Sequence, residues 1–145
     1  MALFSIDPYE IMTNLIQLFT ALILSMTVAF ERESESKSAG LRTFPLVSLA
    51  ACAFTILATS FGDANAQAKM VSGVITGIGF IGGGAILKSS GKVSGTSTAA
   101  AIWSTGAIGI AVGFGRIEIA IVISVVAYCT LKVFGAIKEN QSEAD

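Results

Sequence analysis

Residues Gly77–Gly84 read GIGFIGGG. The first six have the G-x-G-x-x-G spacing of a dinucleotide-binding turn, where glycines let the backbone close on a pyrophosphate. That chemistry needs a strand before the glycines, a helix opening at them, and an acidic residue about 20 positions later for the ribose. No Asp or Glu lies between Asp63 and Glu118, so the acidic partner is missing. Other reactive groups are sparse. The chain has no His and two Cys, which excludes a Ser-His-Asp set and a Cys/His zinc site. Cys52 and Cys129 fall in apolar runs and read as packing residues rather than a redox pair. No paired acid/base arrangement is recognisable by spacing, so no enzymatic activity is expected. Two basic residues per short loop give no support to nucleic-acid binding.

The elements that hold these residues explain the glycines differently. Of 145 residues, 53% are hydrophobic and 13% are charged, too few charges for the shell of a soluble domain of this size. The apolar residues come in blocks. Ile11–Phe30, Thr43–Gly62, Met70–Leu87 and Val93–Gly115 contain no Asp, Glu, Lys or Arg and hold 20, 20, 18 and 23 residues. A hydrocarbon core about 30 Å thick takes roughly 20 helical residues to cross. Ile117–Ile137 is a fifth candidate, with Glu118 and Lys132 near its ends, where Lys132 can snorkel to the headgroups. The expected fold is an all-α integral membrane bundle of about five transmembrane helices. The spans fall at about 9–30, 44–62, 66–87, 98–114 and 117–135, in one domain over 1–135, and a short cytoplasmic tail follows over 136–145. That tail is too short to fold.

Lys and Arg set the orientation. Arg32, Lys37, Arg42, Lys88, Lys92, Lys132 and Lys138 fall on one side of a five-span chain, and only Lys69 and Arg116 on the other. The positive-inside rule then places the N-terminus outside and the C-terminus in the cytoplasm. The N-terminus lacks the basic region of a signal peptide, and Asp7-Pro8-Tyr9-Glu10 reads as N-cap, N1 proline and N3 glutamate of the first helix.

Inside such a bundle glycines are packing residues. Gly73 to Gly84 holds six glycines in twelve positions. On a helical wheel Gly73, Gly77 and Gly84 fall within about 40° of one another, and Ser72, Thr76, Gly79 and Gly83 form a second strip roughly 110° away, with Gly82 also in the run. Small residues let helix backbones approach closely in lipid. Two strips predict a central third span with neighbours on two sides, one strip packing inside the protomer and the other serving a homo-oligomer, with a dimer favoured. Span four repeats the theme with Ala99, Gly106 and Gly113 seven apart, plus Gly109.

Polar residues gather at the two membrane faces. The cytoplasmic set is Glu31, Arg32, Arg42, Thr43, Thr96 and Thr98, with Trp103 about five residues into span four as an aromatic anchor. Thr43 is placed to cap span two, with Pro45 in its first turn. A Glu31–Arg42 or Glu31–Arg32 pair would offset the cost of charge at the boundary. The outer set is Asp63, which can cap span three, with Asn65, Gln67 and Glu118. An oxygen-rich, solvated set of this kind suits Mg²⁺, which keeps several waters. Composition requires no cofactor and shows no metal, so the metal assignment is left open.

At this point three blocks carry a resemblance. ERESESKSAGLRTF, VSGVITGIGFIGGGAILK and GTSTAAAIWSTGAIGIAVGFG, in this order, resemble the membrane domain of the MgtC/SapB family over about Leu15 to Phe134. The motif positions carried over are Glu31, Arg32, Gly40, Leu41, Arg42, Thr43, Asp63, Gly73, Gly79, Phe80, Gly82, Gly84, Thr98, Ala99, Ala100, Trp103 and Gly109. The resemblance implies a bacterial inner-membrane protein linked to growth in low magnesium. For some members it implies regulation of larger membrane machines, including the F-type ATP synthase. Two departures stand out: Ala29-Phe30 replace a usual Gly-Arg, and Thr96-Ser97-Thr98 replace Leu-Thr-Thr. The chain is expected to be a short member without the soluble C-terminal domain of MgtC-type proteins. A non-enzymatic regulator that binds other membrane proteins is the first expectation. A transporter or channel for a cation such as Mg²⁺ or a small solute is the second, and a structural or lipid-interacting protein the third. The first four blocks lack the ionisable mid-membrane residue a transporter would be expected to use, although backbone carbonyls at Gly82–Gly84 keep ion coordination open.

Overall fold

The computed structural model describes residues 7–35, 39–89 and 92–142. It contains helices α1 (Pro8–Glu35), α2 (Thr43–Thr59), α3 (Ala64–Gly84), α4 (Thr96–Gly113) and α5 (Ile117–Ser142), with a small hairpin of β1 (Leu87–Ser89) and β2 (Lys92–Ser94) between α3 and α4.

Local chemistry sets these boundaries. The Asp7 carboxylate accepts from Tyr9 N–H at 2.8 Å and opens α1, with Pro8 at its first position. Asp63 does the same for α3, accepting from Asn65 and Ala66 N–H at 3.2 and 3.1 Å. The third span was expected to run to Leu87. Instead α3 stops at Gly84 after three consecutive glycines, which favour helix poorly. The turn tightens through Ala85 N–H to Gly82 C=O at 3.0 Å and Ile86 N–H to Gly83 C=O at 3.1 Å. The hairpin then pairs Leu87 with Ser94 and Lys88 with Val93. Gly95 starts α4 at φ +84°, with the Ala85 carbonyl where a Cβ would stand. α4 ends in a Schellman turn: Gly115, at φ +72°, donates to Val112 C=O and Arg116 N–H to Ala111 C=O, both at 2.8 Å. α5 continues to Ser142, so much of the expected tail from 136 on is helical, and residues 143–145 lie outside the described residues. Lys37 and residues 1–6 also lie outside them.

The centre of the bundle is α4, not the third helix. α4 packs against α1, α2, α3 and α5, whereas the principal contacts of α3 are with α4 and α2. The glycines of α4 explain this. A Cβ on Gly109 would strike the Ser48 carbonyl, and one on Gly113 would sit 2.9 Å from the Cys52 carbonyl and 2.5 Å from Thr55 Cβ. Gly106 meets the side chain of Ile78. α2 and α4 therefore run parallel, backbone close to backbone. Among the described residues, of the α3 glycines only Gly82 and Gly79 meet other elements: an added Cβ would lie 3.3 Å from the Ala99 carbonyl and 3.9 Å from Trp103 Nε1. At Gly73, Gly77, Gly83 and Gly84 nothing among the described residues lies within 4 Å of an added Cβ.

Phe44, Ile102, Ile108, Val28 and Val112 fill the core between these helices. Hydrogen bonds cross it. Ser48 Oγ donates to Ala21 C=O at 3.0 Å, Ser124 Oγ to Leu24 C=O at 2.8 Å, and Gln17 Nε2 to Val112 C=O at 3.1 Å. Thr27 and Ser124 hydroxyls lie 2.9 Å apart. Each joins two helices with a polar group that apolar surroundings would otherwise leave unsatisfied. Outward, the bundle is apolar. Pro8–Ser34 and Ile117–Ile137 are long and apolar enough to cross a membrane, and only 17% and 11% of their apolar windows are buried. The core helix of a soluble protein would be mostly covered, and these are not.

Candidate functional site

The last turns of α1, the start of α2 and the start of α4 carry the residues Glu31, Arg32, Arg42, Thr43, Thr96 and Thr98. Their arrangement centres on one ion pair. Arg32 Nε donates to Glu31 Oε2 at 2.6 Å and a terminal nitrogen donates to Oε1 at 2.8 Å. Both side chains are only 8% exposed. The fork engages both carboxylate oxygens. Glu31 is thus a closed partner rather than an open metal ligand or base. Arg42 stands apart: its side chain is exposed, and it occupies the N-cap of α2 without a side-chain capping bond. Thr43 is the first helical residue rather than the cap, and Pro45 is buried beside it. Thr43 and Phe44 N–H both donate to Gly40 C=O, at 2.9 and 3.3 Å. Thr98 is buried and Thr96 exposed at the first position of α4.

Glu33 was not singled out by sequence reasoning, yet it shapes this end. Its carboxylate accepts from Leu41 N–H at 2.8 Å, tying Leu41 to the end of α1. It occupies the space that a side chain at position 40 would need, which is why Gly40 suits that position. The charge alternation of Glu31-Arg32-Glu33 was the visible signal. Gln17, Ser48 and Ser124 gave none, since hydroxyls and amides in apolar runs look alike whether they bridge helices or not.

At the opposite end the outer residues are used singly. Asp63 is spent on its cap. Gln67 Nε2 donates to Phe61 C=O at 2.7 Å. Asn65 is exposed, and Glu118 pairs with Arg116 at 2.6 Å, both side chains well exposed. No contact joins Glu118 to Asp63 among the described residues. Nor do three or more His, Cys, Asp or Glu side chains converge on a metal position among them.

Trp103 is not with the Glu31–Arg32 pair. It lies seven residues into α4, close to its middle, and is 53% exposed. It lines an apolar groove of about 330 Å³ over α4, with Ile75 and Ile78 of α3 on one side and Ile119 and Ile123 of α5 on the other.

Comparison with known proteins gives these features a context. The model of the MgtC family matches residues 18–140. The Escherichia coli K12 protein named "Putative magnesium transporter YhiD" is 36% identical over 129 residues, which cover 83% of this chain and 60% of that protein. SrpB of Synechococcus elongatus is 33% identical, with 81% of this chain and 72% of that protein covered. Protein MgtC of Brucella abortus is 34% identical, with 72% and 44% covered. The chain thus spans about 60% of the length of YhiD. No solved structure matches it.

Proposed function

The chain belongs to the MgtC family, and from that membership we propose that it is a multi-pass protein of the bacterial inner membrane that regulates other membrane proteins in magnesium or ion homeostasis. All five helices cross the bilayer in this reading, with the N-terminus outside and the C-terminus in the cytoplasm. It acts without enzymatic chemistry, by helix packing against a larger membrane protein. A second copy of the chain is the favoured first partner.

The observation that carries this reading is the interior around α4. Gly109 and Gly113 bring α4 onto the α2 backbone. The buried hydroxyls of Ser25, Ser48, Thr55, Thr105 and Ser124 each bond a backbone carbonyl. A solute or ion path needs polar or ionisable groups free to meet its cargo near the middle of the membrane. Here the polar groups are spent on the protein itself. The glycine face of α3, open at Gly73, Gly77 and Gly84, supports association by close helix approach.

A transporter of Mg²⁺ is the second reading, favoured by the name of YhiD. Purified protein in sealed liposomes separates the two. The regulator gives no Mg²⁺, K⁺ or Na⁺ flux above that of protein-free vesicles. Flux that rises in proportion to the protein incorporated overturns it.

A further inference from the structure

The groove over α4 has a form that neither the regulatory nor the transport reading uses. α3 and α5 each pack on α4 but make no principal contact with each other, and the gap between them is the groove. Its floor is small, Ala107 and Ala111, and its walls are isoleucines. Trp103 stands near one end, and Phe114 and Arg116 stand at the other. Eleven helical residues separate Trp103 from Phe114, about 16 Å at 1.5 Å per residue. One leaflet of a bilayer is about 15 Å of hydrocarbon. The groove therefore has the length of a single leaflet, measured inward from Arg116.

Its mouth is charged on both signs. Arg116 gives Nε to Glu118 Oε1 at 2.6 Å. The two terminal nitrogens of Arg116 make no other hydrogen bond among the described residues, and the Glu118 carboxylate keeps acceptor capacity beyond that bond. Both side chains are more than 60% exposed. An ion pair left open in this way offers donors to a phosphate and an acceptor to an ammonium.

We infer that the groove binds one zwitterionic phospholipid with a primary ammonium, such as phosphatidylethanolamine: an acyl chain lies along Ala107 and Ala111, the phosphate on Arg116 and the ammonium on Glu118. A helix of a second copy suits the groove less well. The glycine face of α3 points elsewhere, since Gly73 and Gly77 lie about 160° from Ile75 on the helical wheel. The inference rests on the membrane-spanning reading. That reading fails separately, if alkaline washing releases the chain from membranes.

The test is native mass spectrometry of delipidated protein in mild detergent, titrated with phosphatidylethanolamine, phosphatidylcholine and phosphatidylglycerol. One phosphatidylethanolamine per chain should be retained, about three- to fivefold better than the other two, as expected for an exposed charged contact. Ala107→Phe should abolish retention by filling the floor. Arg116→Gln and Glu118→Gln, at exposed positions where folding is not at stake, should each erase the headgroup preference. Equal retention of all three lipids overturns the inference, as does a preference that survives both Gln variants. So does an Ala107→Phe protein that keeps its lipid but changes from dimer to monomer, because the groove then belongs to a second copy.

Discussion

The Glu31–Arg32 pair shows how a charge is kept in an apolar bundle. Two bonds close the fork, and both groups are almost fully covered. Removing one partner of a buried pair leaves the other charged and unpaired, which costs about 3–5 kcal/mol. Arg32→Ala should therefore lower the melting temperature in detergent sharply or abolish expression. Arg32→Lys should recover only part, since a point charge cannot replace the fork. Arg42→Ala should melt within about 0.5 kcal/mol of the parent, because its side chain is exposed. The sequence made Glu31 and both arginines legible as a cluster. It favours Arg42 as the partner of Glu31, and the structure corrects this by pairing Glu31 with Arg32. Arg32 and Arg42 are equally basic in print, and only the fold shows that one is buried beside Glu31 while the other caps α2 from outside. Glu33 escaped notice because its role is to hold the backbone of Leu41, and the charge alternation of Glu31-Arg32-Glu33 does not say which carboxylate does so.

Among the helices, close packing belongs to α4. Its glycines are seven and three or four apart, and they meet carbonyls and side chains of α2 and α3. Gly109→Leu would drive a side chain into the Ser48 backbone, and overpacking of this kind typically costs about 1–3 kcal/mol or more. It should destabilise the monomer. Gly77→Leu points into open space and should leave the melting of the monomer unchanged. In the dimeric reading it shifts the detergent-solubilised protein toward monomer, measured by light scattering coupled to size exclusion. Unchanged oligomer size in Gly77→Leu would remove α3 from that interface. The wheel could find small-residue strips on both helices, but it cannot tell a strip that faces a neighbour from one that faces outward. That depends on the register between helices, which Gly113 against Thr55 and Gly82 against Ala99 fix only in three dimensions. The helix starts at Asp7 and Asp63 were legible because a cap is a local bond. The hairpin after α3 was not, since Leu87 and Val93 extend the apolar runs on either side of it.

For the molecule as a whole, the all-helical architecture of five helices followed from the number and order of the apolar blocks. Outward-facing Phe19, Ile23, Val122 and Val126 are exposed in the same bundle that buries Ser25, Ser48, Thr55, Thr105 and Ser124. This inversion suits a lipid surround and would be a liability in water. Both the regulatory reading and the lipid groove depend on all five helices spanning the bilayer. Single cysteines test that directly, placed at Lys69 or Lys88 in a background with Cys52 and Cys129 replaced. Lys69 lies near the start of α3, and Lys88 lies in the hairpin beyond its end. With five spans and the C-terminus inside, an impermeant thiol reagent labels position 69 in intact cells and position 88 only after lysis. Labelling of both positions from the same side would contradict the account.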